Sequence, residues 1–425
     1  MYEVLALLAT IVAAFLVFNL HRSPLFAVYF VLAVGLAKAW FVVLPGIELG
    51  IMLYPIDVVG LLLALAAFTR VVARQSLRMS VSGLVFAAML VFSFLSGLTE
   101  YGETAGVDFR TTFTFIAAVI YFATFRINSE LADRVMRVWI FAAFALMLIA
   151  WLVWIADAAG FAMAKKWTDA EPIVGLELRV LHADSTYIIG VGVVVLLYLL
   201  INGRVTSRWW LMLSALGATV LILQHRSVWV ATFCSAVLLI FLVRRGRSRV
   251  VLYCGAITLI ALATTPLISQ RFSAVAESVS LQFERATDLT EGTSGARVNA
   301  WELLLKDWQN LGLGRQLIGK PFGSSYGGLP NSPHNGYLQV MYRTGYVGLL
   351  AMLAMFGATL VRLLRKRQGE EKRDTDAAIL VFVLVVGQLI YLVPYGFSTE
   401  QGVLMGVAIG YVGSKSLRRS TPALQ

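Results

Sequence analysis

Three short polar segments of this 425-residue chain carry side chains that could bind a phosphate or move a proton. The first, Gln224-His225-Arg226-Ser227, is a turn between two apolar runs. The planar guanidinium of Arg226 suits bidentate pairing with phosphate oxygens. An arginine that extends its charged head to a membrane surface would occupy the same position, so both explanations stay open at this point.

The second segment is Ser294-Gly295-Ala296-Arg297, at the start of a stretch with helical periodicity. A helix start offers free backbone N–H groups and a partial positive charge, which favour anions. An arginine at this position therefore suits an anion-binding site better than it suits the stability of the helix. Arg297 is a second candidate for phosphate binding.

The third segment, residues 330–337, reads Pro-Asn-Ser-Pro-His-Asn-Gly-Tyr and leads directly into an apolar run. Histidine is the side chain best suited to exchange a proton near neutral pH, which makes His334 a candidate acid–base residue. Asn335 is a plausible helix cap, and Tyr337 follows it. A single histidine is more often structural than catalytic, so this alternative is retained.

Further polar residues adjoin the apolar run that begins near residue 187. Arg179, His182 and Asp184 could bind a sugar or a phosphate, and a solvated loop is the alternative. Three charged residues lie inside other apolar runs. A charge in lipid is costly, so we expect each of them to face a partner or a cavity. These are Lys38, Asp57 and Arg343.

The sequence lacks the motifs of several common enzyme and metal-binding families. There is no Walker loop, no dinucleotide-binding fingerprint, no HExxH motif and no Cys/His cluster of metal ligands. The four histidines are scattered, and both cysteines, Cys234 and Cys254, fall in apolar runs without implying a disulfide framework. We therefore expect neither a metal nor another cofactor.

The composition indicates a membrane protein. Apolar residues make up 59% of the chain, charged residues only 14%, and the mean hydropathy is +0.79. A soluble domain carries about a quarter charged residues. The apolar runs are long and do not alternate, so we predict an all-α polytopic integral membrane protein that contacts membrane lipids. The net charge of +11 arises mainly in short loops and does not indicate nucleic acid.

Thirteen runs are predicted to span the membrane, with twelve to fourteen spans compatible with the pattern, in a single membrane domain over residues 1–425. The first run is read as a retained span and not as a cleaved signal peptide. The predicted spans are 2–20, 24–44, 51–68, 82–98, 111–125, 138–157, 187–202, 209–223, 227–243, 250–266, 336–361, 377–394 and 401–413.

The short basic loops set the predicted orientation, because loops rich in Lys and Arg stay in the cytoplasm. With thirteen spans, the loops rich in arginine and lysine and the basic C-terminal tail fall on one side. The C-terminus is therefore predicted inside and the N-terminus outside. Two longer outward loops cover residues 158–185 and 267–335.

The second outward loop is longer than the roughly 12–15 residues of most structureless connections, so we expect it to be functional and partly ordered. It contains a predicted amphipathic helix, Arg297 to Leu311, with Val298, Trp301, Leu304, Leu305 and Trp308 on one stripe. Such a helix could lie in the membrane interface or pack on other helices, and the sequence favours neither.

The order of these motifs resembles the O-antigen ligase and polymerase superfamily over residues 220–350. The resemblance rests on a short outward Arg turn, a Gly-Ala-Arg segment followed by Trp, a Phe-Gly pair, and Pro-His-Asn-Gly-Tyr leading to Thr-Gly-Tyr-Val-Gly-Leu. These segments are Gln224–Trp229, Gly295–Trp301, Phe322-Gly323 and Pro333–Leu350.

The resemblance implies a bacterial inner-membrane glycosyltransferase that uses no nucleotide sugar. Its donor would be a glycan on undecaprenyl diphosphate at the periplasmic face. The acceptor would be lipid A-core for a ligase, or a second lipid-linked glycan for a polymerase of O-antigen or exopolysaccharide. Arg226 and Arg297 would hold the diphosphate in place of a metal, and His334 would act at the acceptor or steady the reacting centre. Candidate further substrate contacts are Arg179, His182, Asp184, Asn335 and Tyr337.

A transporter of lipid-linked polysaccharide is the alternative from another functional class. Transporters place polar residues near the middle of the membrane, often in broken helices arranged as repeats. Here the polar residues gather at one face, and no repeat is visible in the sequence. The charged residues inside apolar runs are the argument for transport.

Overall fold

The computed structural model describes eight segments of the chain, and most of their residues are helical. The segments are residues 2–41, 46–48, 52–161, 179–206, 208–243, 292–329, 332–367 and 372–414. They contain fourteen helices and one small antiparallel sheet. The helices are α1 (Tyr2–Arg22), α2 (Pro24–Trp40), α3 (Pro55–Val72), α4 (Val81–Tyr101), α5 (Glu103–Ala123), α6 (Ser129–Ala158), α7 (Ala183–Ile201), α8 (Trp209–Ile222), α9 (Arg226–Leu242), α10 (Gly292–Gln309), α11 (Leu313–Ile318), α12 (Gly336–Arg367), α13 (Lys372–Tyr391) and α14 (Thr399–Val412). Strands β1 (Ile47–Glu48) and β2 (Met52–Leu53) pair with Ile47 opposite Leu53.

The helices confirm the all-α class. Every predicted span except 250–266 overlaps a helix, and 250–266 lies outside the described residues. Six of the described helices, α3 to α7 and α12, are long and apolar enough to cross a membrane, and others are shorter apolar helices. The count of thirteen spans therefore stays a prediction. Most of the predicted loop 158–185 and the first part of the loop 267–335 also lie outside the described residues.

Several helices begin where the sequence places capping residues. The Ser23 hydroxyl accepts a hydrogen bond from the Phe26 N–H, and Pro24 occupies the first turn of α2. The Asn128 side chain accepts from the Leu131 N–H at the start of α6. These caps satisfy backbone donors that lack partners within the helix. Helix α6 consequently begins nine residues before the predicted apolar span.

Contacts between helix ends place several basic segments at one end of the bundle, called here the basic end. Arg204, after α7, forms a 2.8 Å ion pair with Asp133 at the start of α6. Lys366, near the end of α12, donates to the Tyr411 carbonyl near the end of α14 at 2.8 Å. This up-and-down arrangement agrees with the loop charges in the sequence. That the basic end faces the cytoplasm remains a prediction.

Helices α7 and α14 are almost completely buried and form the centre of the bundle. Helix α14 packs closely on α5 through glycines on one face. A Cβ on Gly402 would lie 2.4 Å from the Phe115 carbonyl oxygen, and one on Gly406 would lie 2.7 Å from the Phe122 Cβ. Small residues at such positions allow the two backbones to approach closely.

The amphipathic helix of the second loop is present as α10, and it begins five residues before the predicted start. Leu304 and Trp308 are buried against Tyr342 of α12. Val298 and Leu305 are 38% and 39% exposed, so only part of the predicted apolar stripe is covered. Of the two alternatives for this helix, the structure shows the one in which it packs on another helix.

Each charged residue that the sequence places inside an apolar run has a partner of opposite charge. This confirms the expectation that such residues face partners, because an isolated charge in a low-dielectric interior is very costly. The ion pairs are Lys38–Asp184 (2.7 Å), Asp57–Arg110 (3.0 Å) and Arg343–Asp108 (2.8 Å).

The Arg343–Asp108 pair also anchors the second outward loop. Arg343 is 1% exposed, and its guanidinium donates to the carbonyl oxygens of Pro321 and Ser324. The Asp108 carboxylate accepts from the Tyr326 hydroxyl at 2.8 Å. One ion pair thus joins α5, α12 and the loop between α11 and α12.

We expect Asp108→Ala to destabilise the protein by about 3–5 kcal/mol, because it leaves the Arg343 guanidinium buried without its carboxylate. Thermal unfolding of the purified protein in detergent measures this change. Glu130→Ala is the matched control, because the Glu130–Arg134 pair is more than half exposed and such pairs contribute little. Equal unfolding temperatures for the two variants would contradict the anchoring role.

Candidate functional site

The candidate site lies at the end of the bundle opposite the basic end. The starts of α7, α9 and α12 meet here, together with the turn between α13 and α14 and the first half of α10. The three residues on which the resemblance depends, Arg226, Arg297 and His334, all belong to these segments.

His334 occupies a turn whose backbone is fixed on both sides. The Trp301 indole N–H donates to the Pro333 carbonyl at 2.7 Å, which joins the turn to α10. The Asn335 side chain accepts from the Leu338 N–H at 3.0 Å and caps α12. His334 itself has φ +47°, a left-handed conformation that is uncommon for residues other than glycine. Backbone strain of this type concentrates at functional sites.

The surroundings of His334 favour its neutral form. Partial burial lowers the pKa of the imidazole, and the positive charge of Arg297 and the nearby His182 lower it further. Burial acts in this direction because it disfavours the charged imidazolium. These influences favour the neutral imidazole, which can accept a proton.

Arg297 contacts an aromatic ring that is distant in sequence. Its guanidinium carbon lies 5.0 Å from the ring centroid of Tyr395, in the turn between α13 and α14. This distance is within the range of a cation–π interaction. Arg297 thus contacts Tyr395 through its guanidinium, and its charge also lowers the pKa of His334.

Arg226 is the first residue of α9, directly after a tight turn. Gln224 in this turn has φ +56°, and its carbonyl accepts from the Arg179 guanidinium at 3.4 Å. The His225 Nε2–H donates to the Leu181 carbonyl at 2.9 Å. The segment that carries Arg226 is therefore bound to the segment that precedes α7.

Burial lowers the pKa of His225 to about 4, with a smaller contribution from the charge of Arg179. The side chain is consequently neutral under physiological conditions. Its donated hydrogen bond to Leu181 gives it a structural role in the turn before Arg226. The sequence did not distinguish this role from a role in chemistry.

His182 and Asp184 form one hydrogen-bonded group with Lys38. The His182 Nδ1 lies 2.7 Å from one Asp184 carboxylate oxygen, and the Lys38 ammonium lies 2.7 Å from the other. This group joins the end of α2 to the start of α7. The charge of His182 also lowers the pKa of His334.

Asn335 and Tyr337, both candidate substrate contacts, have partners within the protein. Asn335 is 7% exposed and serves as the helix cap. The Tyr337 hydroxyl donates to the Leu389 carbonyl of α13 at 2.7 Å. Both side chains hold the start of α12 in place, and direct contact with a substrate stays a prediction for them.

Tyr395 and Glu400 belong to this region but were not singled out in the sequence. Glu400, at the start of α14, is 7% exposed, and electrostatic interactions connect it with Lys38 and Asp184. Tyr395 follows a proline and precedes a glycine in a turn at the same end as His334. That placement between the last two predicted spans was the available signal for Tyr395.

The family model described as O-antigen ligase matches residues 210–353, about a third of the chain. The matched segment contains Arg226, Arg297 and His334, and it excludes the segment before α7 and the turn between α13 and α14. No curated protein matches the chain. With its apolar helices, the match indicates a multi-pass bacterial membrane protein. The chain therefore carries an O-antigen ligase domain at residues 210–353, and this supports its place in the O-antigen ligase and polymerase superfamily.

Proposed function

We propose that the chain is a membrane glycosyltransferase of the O-antigen ligase type. It transfers a glycan from undecaprenyl diphosphate to lipid A-core at the periplasmic face of the inner membrane. The observation that carries this proposal is that Arg297 and the His334 turn, which Trp301 and Asn335 hold in place, both lie in the matched segment, where the charge of Arg297 lowers the pKa of His334. A proton acceptor next to a fixed cation suits the displacement of an anionic leaving group.

In the proposed reaction, a hydroxyl oxygen of the acceptor attacks the anomeric carbon of the donor sugar. The bond between that carbon and the phosphate oxygen breaks, and undecaprenyl diphosphate leaves with the bonding electron pair. Arg226 and Arg297 bind the diphosphate oxygens and stabilise the charge that develops on them. His334 accepts or orients the hydroxyl proton. A single displacement of this kind inverts the configuration at the anomeric carbon.

The proposed sidedness follows from the charge of the loops. The basic end lies in the cytoplasm, together with the C-terminus, and the candidate site faces the periplasm. There it has access to lipid-linked glycan in the outer leaflet. The fixed arginines supply the charge stabilisation that a metal ion supplies in other glycosyltransferases, so the proposed reaction is metal-independent.

A polymerase is the second candidate, because the family includes ligases and polymerases. The same residues would then act on a second lipid-linked glycan as acceptor. The transporter alternative rests on the charges inside apolar runs. Lys38, Asp57 and Arg343 each form an ion pair within the protein, and no specific observation favours transport.

The lipopolysaccharide of a deletion strain of the parent bacterium tests the proposal. For a ligase, we expect long glycan to disappear from lipid A-core and lipid-linked polymer to accumulate, with both restored by the wild-type gene. For a polymerase, single repeat units would appear on lipid A-core instead. Unchanged lipopolysaccharide and unchanged secreted polysaccharide in the deletion strain would contradict both activities.

A further inference from the structure

The turn Leu392–Tyr395, between α13 and α14, contacts both Arg297 and the segment that follows His334. This turn lies outside the matched segment. The Gly336 N–H, two residues after His334, donates to the carbonyl oxygens of Leu392 and Tyr395, both at 2.9 Å. A Cβ at Gly336 would lie 3.0 Å from the Leu392 side chain and 3.3 Å from the Tyr395 carbonyl oxygen. The backbone of this turn therefore packs closely against Gly336, at the end of the His334 turn.

The side chain of the same turn contacts Arg297. The Tyr395 ring lies under the guanidinium, and it also stacks on Tyr391 with centroids 5.0 Å apart and planes 14° apart. Tyr391 in turn stacks on Tyr187 of α7 at 4.3 Å. Tyr391 and Tyr187 are 2% and 4% exposed. Buried rings thus fix the orientation of the Tyr395 ring on which Arg297 rests.

We propose that Tyr395 is a positioning residue that holds the Arg297 guanidinium on its ring face and directs its N–H groups to the diphosphate of the lipid-linked donor. This inference rests on the proposed function, because it takes Arg297 to bind the diphosphate and names the residue that positions Arg297. It adds to the proposed site a residue that lies outside the matched segment, residues 210–353.

A ring face suits this task better than a carboxylate does. A guanidinium has five N–H donors in its plane, and stacking on a ring uses none of them. The ring also leaves the positive charge intact. The buried Arg343, by contrast, forms an ion pair with the Asp108 carboxylate. Among the described residues no carboxylate forms an ion pair with Arg297, so its charge is retained for an anionic ligand.

Binding of undecaprenyl diphosphate to the full chain in lipid nanodiscs tests the proposal. We expect Tyr395→Leu to weaken binding by roughly 3- to 30-fold, the range that a cation–π contact supports. Tyr395→Phe keeps the ring and should restore most of this loss. Phe18→Leu is the matched control, because Arg22 stacks on Phe18 at 4.0 Å on α1, away from the site. Its binding should equal that of wild type.

A double mutant separates positioning from general damage. If Tyr395 acts through Arg297, adding Tyr395→Leu to Arg297→Ala should cause little further loss of binding. Additive losses, or equal losses in Tyr395→Leu and Tyr395→Phe, would overturn the positioning role. Wild-type binding in Tyr395→Leu with weakened binding in Arg297→Ala would overturn this inference alone. Wild-type binding in Arg297→Ala would instead overturn the phosphate-binding role in the proposed function.

Discussion

Arg226→Ala and Arg297→Ala should each reduce glycan transfer by about 10²- to 10³-fold, with normal amounts of folded protein in the membrane. The reason is electrostatic. The departing diphosphate gains negative charge in the transition state, and a fixed guanidinium lowers the energy of that charge more than it lowers the energy of the bound donor. The loss should therefore appear mainly in kcat, measured with purified protein and lipid-linked donor.

Lysine variants at the same positions test the geometry of phosphate binding. We expect Arg226→Lys to remain strongly impaired, because an ammonium group keeps the charge but cannot form two parallel hydrogen bonds to a phosphate. Arg315→Ala is the control for loss of an arginine outside the proposed site, since Arg315 is exposed in α11, within the same long loop as Arg297. A fully active Arg226→Lys variant would refute bidentate binding. Loss of activity in Arg315→Ala would show that any arginine of this loop has the same effect.

His334→Ala should reduce transfer by about 10²- to 10⁴-fold, the range for removal of a general acid–base group. It should also change the pH dependence. In the wild-type protein, burial and Arg297 lower the pKa of His334, so the reactive neutral form persists below the usual histidine value of about 6.5. We expect activity to fall only as the pH falls through that lowered pKa. In His334→Ala this acidic decline should be absent from the residual activity.

The charge of Arg297 provides a second test of the same histidine. Arg297→Gln removes a positive charge that disfavours the imidazolium, so the pKa of His334 should rise and the acidic decline should move to higher pH. His21→Ala serves as control, since His21 lies near the basic end, where it approaches the Thr69 hydroxyl. An unchanged pH profile in both His334→Ala and Arg297→Gln would exclude His334 as the titrating group.

Hydropathy predicted the position of most helices but not where several begin. Helix α5 starts at Glu103, eight residues before the predicted span, and includes the polar Asp108 and Arg110. A hydropathy pattern excludes such residues, because their partners are distant in sequence. Asp108 pairs with a residue of α12 and Arg110 with a residue of α3. Only tertiary contacts make these charges compatible with a helix inside the bundle.

The candidate site shows the same limit. Loop position and residue type made Arg226, Arg297 and His334 candidates, and the family resemblance then favoured them; all three belong to segments at the end opposite the basic loops. They did not indicate that Tyr395 lies under Arg297, because nearly a hundred residues separate the two in sequence. The sequence also did not decide whether α10 lies in the interface or packs on α12. That choice depends on the shape of the surface formed by Tyr326, Met341 and Tyr342.

The turn Leu392–Tyr395 also has a consequence for the order in which the protein matures during synthesis. Arg297 and the His334 turn leave the ribosome well before this turn, yet their supports are the Tyr395 ring and two carbonyl oxygens of the turn. Helix α14, which follows, packs its glycine face on α5 in the folded bundle. The candidate site therefore needs the last helices for its complete set of contacts. A nascent chain interrupted before residue 392 would carry Arg297 and the His334 turn without these supports.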